Sequence, residues 1–230
     1  MTNDKAGTPR RQFLSKLAAG AAAIGILSIP SSLKAAPSVF EDKDQDAADK
    51  WFDNIKGKHR IVFDAPVPNG ISPFAWPRVF LLTNQATGTP EKENSVVVVL
   101  RHEAIPFAFN NNMWTKYNLA EVFKITDTRN KMTATVNPFW QPKKGDYKVP
   151  GLGAVEIGIN ELQQSGVMFC VCNAAMTVYS AVVAEKMKLN AADVLKEWTA
   201  NVLPGVEIVP SGVWAIGRAQ EHKCSYCFAG

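Results

Sequence analysis

The chain has 230 residues, of which 47% are hydrophobic and 20% charged. It is long enough to bury a core, and its balanced composition excludes a disordered, collagenous or coiled-coil protein. Residues 1–36 contribute five basic side chains and one acidic, which accounts for the whole formal charge of +4. The rest of the chain is neutral and shows no basic stripe, so we predict no nucleic-acid partner.

The first 36 residues have the pattern of a twin-arginine export signal. Arg10 and Arg11 precede an apolar run over 17–29 that is rich in Ala and Gly. This run is too short to span a bilayer comfortably. We predict a signal peptide over 1–36, the twin-arginine translocase as a partner, a periplasmic location and no transmembrane domain after cleavage. An uncleaved leader would instead act as a membrane anchor.

Residues 37–56 are rich in acidic side chains and end in a short apolar group, which predicts an acidic linker with a short helix. From residue 57 to 230, short apolar runs alternate with helical periodicity. The predicted strands lie near residues 60–63, 95–100, 167–172, 206–209 and 225–228. The predicted helices are one with Pro77 in its first turn, a short one at 112–123, one through Val155 and Leu162, one at 174–187, and two capped by Asn190 and Ser211.

Strands that are apolar along their whole length are typical of a parallel sheet covered by helices on both faces. We therefore predict an α/β fold with three layers around a mostly parallel five-stranded sheet. The segment 101–150 interrupts this alternation and is rich in Asn, Pro and aromatic residues. It predicts a lid or an interface. Its candidate ligand-binding residues are Asn112, Trp114, Lys116 and Tyr117, although such a cluster is as often an oligomer interface.

Cys172 ends a predicted strand and directly precedes the predicted helix 174–187. Sites in open parallel sheets collect beyond the carboxyl ends of the strands. The N–H groups of the following helix are expected to lower the pKa of the thiol. Cys172 is therefore a candidate catalytic thiol, with a structural role as the equal alternative. Cys170 points to the same side of the strand but lies deeper in the layer that the helices cover. This position favours a structural role, in which Cys170 packs as a small buried apolar residue.

Cys224 and Cys227 form a C-x-x-C pair at the last predicted strand. This spacing fits a redox dithiol, half of a metal site, or chance. With Cys170 and Cys172 the pair would supply four thiols for a tetrahedral metal, if the two strands lie together. Disulfides are also open, because the periplasm is oxidising. No cofactor is firmly implied, and a metal at these cysteines is one alternative.

His102 follows the strongest predicted strand, 95–100. It is therefore expected at the same edge of the sheet as Cys172, where it could act as a base or assist a thiolate. The alternative is a loop histidine that is hydrogen-bonded to backbone.

The second half of the chain resembles a known family. The strand that ends in Cys172, its small-residue helix start, and the segment Leu203-Pro-Gly-Val-Glu-Ile-Val-Pro-Ser-Gly-Val-Trp214 are similar to DsrE/DsrF-like sulfur-handling proteins, best from 155 to the end. The resemblance implies a flavodoxin-like, DsrE-like sheet over 57–230 and a homo-oligomer. It also implies a sulfur atom carried as a persulfide on Cys172. The insertion at 101–150 and the export signal depart from the compact cytoplasmic carriers of that family.

Two functions are consistent with these features. The first is an exported sulfur-handling or thiol-relay protein that uses Cys172. The second is a non-catalytic periplasmic module that binds a ligand or assembles into oligomers, with structural cysteines. The sequence has no G-x-S-x-G elbow, phosphate-binding glycine loop or H-E-x-x-H pair, so whether the protein is an enzyme is left open.

Overall fold

The computed structural model describes residues 42–149, 151 and 153–230. The predicted signal peptide over 1–36 and the first part of the predicted linker lie outside these residues. The described chain forms one compact unit that begins at Asp42. No helix in the described part of the chain has both the length and the apolar character needed to cross a membrane.

Helices and strands alternate along this unit. The strands are β1 (His59–Ala65), β2 (Asn94–Leu100), β3 (Lys148–Val149), β4 (Gly153–Ala154), β5 (Val167–Cys172), β6 (Val206–Val209) and β7 (Ser225–Phe228). The α-helices are α1 (Asp42–Trp51), α2 (Ser72–Ala86), α3 (Asn111–Lys116), α4 (Leu119–Val122), α5 (Ile159–Gln164), α6 (Asn173–Met187), α7 (Ala191–Ala200) and α8 (Gly212–Glu221). Three 3₁₀ helices cover Phe52–Asn54, Glu91–Glu93 and His102–Ala108.

Five of the strands form one sheet in the order β6-β5-β2-β1-β7, and every neighbouring pair is parallel. This confirms the predicted α/β fold with its parallel five-stranded sheet. The central strand β2 is buried along its whole length, as its run of valines predicts. β3 and β4 form a separate antiparallel ribbon.

Two apolar layers cover the sheet. On one face, Phe63, Val98 and Phe169 of the strands pack with α2, α5, α6 and α7. On the other face, alternate strand residues such as Val97 and Val99 pack with α8 and with the segment around Phe52. Because Phe52 is fully buried there, the short helix that was predicted in the linker docks onto the domain.

Three predicted helices differ from those observed. α2 begins at Ser72, so Pro77 lies inside the helix and not in its first turn. The predicted helix 112–123 is two short helices, because Asn118 adopts a left-handed conformation with φ 50°. The helix predicted from Val155 begins only at Ile159, because the backbone is still extended at its N-cap Gly158, with ψ 147°.

Aromatic residues of the segment 101–149 are part of the core, which argues against a detachable lid, whereas an interface stays a prediction. Phe139 stacks on Phe74 of α2 with ring centroids 4.1 Å apart and on Tyr147 at 5.1 Å. Phe107 meets the edge of Phe139 at 5.4 Å. Such aromatic pairs bury large apolar areas, so the segment thickens one helical layer of the domain.

The caps predicted for α7 and α8 are present, and one of them gives a test. Asn190 Oδ1 accepts hydrogen bonds from the backbone N–H groups of Ala192 and Asp193. We expect Asn190→Ala to lower the free energy of unfolding by about 1 kcal/mol, because these N–H groups lose their partner. Urea denaturation measures the loss, with the exposed Lys196→Ala in the same helix as the control. Equal stability of the two variants would show that the cap contributes nothing.

Candidate functional site

The connections that leave β5 and β6 diverge at the carboxyl edge of the sheet. β5 continues into α6 on one face, whereas β6 continues into α8 on the opposite face. Adjacent parallel strands whose connections go to opposite faces leave a crevice between them, and this is where ligands bind in open α/β sheets. Cys172, which pairs with Val209 of β6, lies at this crevice.

The Cys172 thiol lies at the amino ends of two helices. Its Sγ accepts a hydrogen bond from Ala175 N at 3.3 Å and thereby caps α6. The N–H groups of Ala174 and of Gly212, the first residue of α8, also act to lower the pKa of the thiol, but Ala174 N donates its hydrogen bond to Pro210 O at 3.2 Å. The Ala175 N–H is therefore the group that stabilises negative charge on this sulfur by direct hydrogen bonding.

An ion pair whose carboxylate is buried lies at the same edge of the sheet as the thiol. Arg101 follows β2 and donates from Nε and Nη2 to the two carboxylate oxygens of Asp64 on β1, at 2.6 and 2.9 Å. The Tyr226 hydroxyl donates to Asp64 Oδ2 at 2.9 Å. The charge of Arg101 adds to the N–H groups that favour the Cys172 thiolate.

Gly212 allows Arg101 to occupy this position. A Cβ on Gly212 would lie 2.5 Å from Cβ and 2.7 Å from Cδ of Arg101. A larger residue would therefore collide with the base of the arginine side chain. The start of α8 is consequently packed closely against the aliphatic part of the Arg101 side chain.

The pKa of Cys172 corrects the expectation from sequence. Burial raises the pKa of this thiol, and although the three N–H groups and Arg101 oppose it, the pKa stays above its ordinary value. The side chain is only 6% exposed. The unmodified thiol is thus protonated at neutral pH, and the helix termini limit the cost of ionising it.

The other cysteines lie apart from Cys172 or deeper than it. Cys170 is fully buried in the layer under α8, and burial raises its pKa well above the usual range. β2 and β1 separate β5 from β7, so Cys224 and Cys227 are three inter-strand spacings away, or roughly 14 Å.

That separation corrects two pairings that the sequence allowed. The four thiols are not brought together, and a disulfide between Cys172 and either Cys224 or Cys227 exceeds the reach of such a bond. All four cysteines are free. Within the described residues no three His, Cys, Asp or Glu side chains are placed to hold a metal, so we derive no step through one.

His102 lies at the predicted edge, but it is oriented towards α6. Its ring is exposed, its Nε2 lies 3.3 Å from the Tyr179 hydroxyl, and the two rings meet edge to face. The cation beside Cys172 is Arg101. A catalytic role of His102 stays a prediction.

The four predicted ligand-binding residues differ in their burial and in their contacts. Trp114 and Tyr117 are buried, and Trp114 Nε1 donates to Pro106 O at 2.9 Å. Lys116 and Tyr117 both bind the carboxylate of Glu197 on α7. Asn112 is exposed. Binding by this cluster stays a prediction, and the two aromatic rings contribute to the core.

The residues that surround Cys172 were not singled out from the sequence. Asp64, Arg101, Gly212 and Tyr226 come from four separate parts of the chain. One sequence feature could have indicated this ion pair: Asp64 and Arg101 have opposite charges, and each lies at the end of an apolar run. Beside the thiol, Asn173 Oδ1 is buried without a hydrogen-bond partner among the described residues.

The environments of the thiols predict an order of alkylation by iodoacetamide. Cys227 is half-buried and should react first, Cys172 and Cys224, which are each 6% exposed, more slowly, and the fully buried Cys170 last. Because the pKa of Cys172 is raised, its rate should still increase with pH above the ordinary thiol pKa. Timed labelling followed by peptide mass spectrometry measures both effects. A Cys172 rate that is already constant at neutral pH would contradict the raised pKa.

The chain matches no protein-family model and no curated protein. The resemblance to DsrE/DsrF-like proteins therefore stays an expectation drawn from the sequence.

Proposed function

We propose that the protein is an exported sulfur-handling or thiol-relay protein in which Cys172 takes up a sulfur atom and passes it on. The observation that carries the proposal is the hydrogen bond from Ala175 N–H to Cys172 Sγ at the amino end of α6, beside the crevice between β5 and β6. The resemblance to sulfur carriers around the same cysteine agrees with it.

The chemistry places negative charge on Sγ twice. In loading, the Cys172 thiolate attacks a terminal sulfur of a polysulfide HSₙ⁻. The S–S bond of the donor breaks, and the products are the Cys172 persulfide and HSₙ₋₁⁻, with the thiol proton carried by the products. In release, an acceptor thiolate attacks the outer sulfur, and Cys172 leaves as a thiolate. The Ala175 N–H that is bonded to Sγ, at the amino end of α6, stabilises the charge that develops in both steps.

Burial and the ion pair give this thiol two further properties. A protonated, mostly buried thiol resists oxidation, because sulfenic acid formation requires thiolate character and exposure. The charge of Arg101 acts to lower the pKa of Cys172, and Asp64 holds the guanidinium in place. Such protection suits a cysteine that works in an oxidising compartment.

Sulfur loading followed by intact mass tests the proposal. The full chain is incubated anaerobically with polysulfide, desalted and weighed. We expect the wild type to gain one sulfur, about 32 Da, and to return to its original mass after incubation with an acceptor thiol. Cys172→Ser should lose the gain, and the matched control Cys227→Ser should keep it.

The same experiment addresses the alternative function. A wild type that gains no sulfur, or a Cys172→Ser variant that loads like the wild type, would reject a sulfur-carrying Cys172. A non-catalytic binding or assembly module would then be the better account. The predicted homo-oligomer and the periplasmic location stay predictions under either outcome.

A further inference from the structure

A second cavity opens at the amino edge of the sheet, opposite Cys172. β1 pairs with β2 over all of its seven residues but with β7 only from Ile61 onward. The first residues of β1 therefore extend past the start of β7 and leave a notch. The notch opens into a cavity of about 420 Å³, which is within the range of small-molecule sites.

The cavity carries positive charge without a compensating carboxylate. Its basic residues are Lys58, His59, Arg60 and Lys223, and no acidic residue is among the described residues that line it. Arg60 is held by Gly57 O at 2.7 Å and by His222 O at 3.1 Å. Carbonyl oxygens fix this guanidinium but leave its charge unneutralised, so the cavity favours an anion.

The remaining walls provide an apolar side and a polar rim. Ile61 and Phe80 are partly buried against the core, and both line the cavity with Asn84 and Ser225. Asn84 donates through Nδ2 to Phe80 O at 2.9 Å. An apolar surface beside several cations, of which Arg60 is held in place, suits a ligand that has both an anionic group and an apolar body.

We propose that this cavity binds a small organic anion with a tetrahedral oxyanion, a phosphate or a sulfonate, attached to an aromatic or similarly apolar group. The oxyanion contacts Lys58, Arg60 and Lys223, and the apolar group lies against Phe80 and Ile61. The site uses no residue of the Cys172 crevice, so it is independent of sulfur handling.

The probe is phenyl phosphate, followed by amide NMR of the ¹⁵N-labelled full chain. We expect saturable shifts at the amides of His59, Arg60 and Ser225, with a dissociation constant of about 1 mM or lower. Inorganic phosphate and phenol should each bind more weakly, because each lacks one half of the ligand. Benzenesulfonate distinguishes the oxyanions, since the tighter of the two aromatic anions identifies the preferred group.

Charge reversal at the two exposed lysines tests the electrostatic basis. The double variant Lys58→Glu/Lys223→Glu should bind phenyl phosphate at least about tenfold more weakly. The matched control Lys196→Glu, on the exposed surface of α7, should bind like the wild type. Equal affinity of the double variant and the wild type, shifts confined to residues outside the cavity, or no shifts at about 10 mM phenyl phosphate would overturn the proposal.

Discussion

Replacing Arg101 with alanine is expected to lower the free energy of unfolding by about 3 kcal/mol. The side chain of Asp64 is 3% exposed and depends on Arg101 for both of its short ionic hydrogen bonds. Without the guanidinium, a buried carboxylate keeps only the hydroxyl of Tyr226 among these partners. The cost of an unpaired buried charge is much larger than the gain from an exposed ion pair.

Urea denaturation at neutral pH measures this loss, and two variants make it specific. Adding Asp64→Asn to Arg101→Ala should restore part of the stability, because a neutral amide is cheaper to bury than a carboxylate. Lys116→Ala breaks an ion pair whose side chains are 53% and 32% exposed, and should cost less than about 1 kcal/mol. If Arg101→Ala costs no more than Lys116→Ala, the ion pair does not organise this edge of the sheet.

Phe139→Ala is expected to lower the free energy of unfolding by about 3–5 kcal/mol. Phe139 is 1% exposed and lies between the rings of Phe74 and Tyr147. Truncation leaves a cavity at the centre of this aromatic cluster, and rigid rings close such a cavity poorly.

Calorimetry of Phe139→Ala should show one thermal unfolding transition for the whole described domain, at a lower temperature than in the wild type. Met132→Ala is the matched control, because Met132 belongs to the same segment but is 63% exposed. A separate low-temperature transition in Phe139→Ala, or a loss as small as that of Met132→Ala, would restore the interpretation of 101–150 as a detachable lid.

The sheet could be predicted from the sequence because its signals are local. β5, β6 and β7 have the predicted bounds, since each is a short apolar run between turn residues. The caps Asn190 and Ser211 were also predicted correctly, because a cap is decided within a few residues. The packing of the segment 101–149 could not be predicted, for the opposite reason. Its rings Phe107 and Phe139 are explained by a partner, Phe74, that is far away along the chain.

The candidate site was predicted only in part. The position of Cys172 follows from strand and helix order alone, and the structure places it at the carboxyl edge. The direction of its pKa shift does not follow from that order, because the increase caused by burial is larger than the decrease caused by the helix termini. The pair of Asp64 and Arg101 requires the knowledge that β1 and β2 are neighbours. Likewise, a four-thiol site requires the two cysteine-bearing strands to lie together, and β2 and β1 separate them. The order of strands in a sheet cannot be predicted from the local spacing of cysteines.

The most direct test of a sulfur-carrying Cys172 is to locate the sulfur in the loaded wild-type protein. After anaerobic loading with polysulfide, iodoacetamide blocks the persulfides, and fragmentation of the digested peptides assigns the added sulfur to one cysteine. We predict that it lies on Cys172 and neither on Cys170, which is fully buried, nor on the more exposed Cys227. Sulfur that follows exposure and accumulates on Cys227, with Cys172 unmodified, would contradict the account.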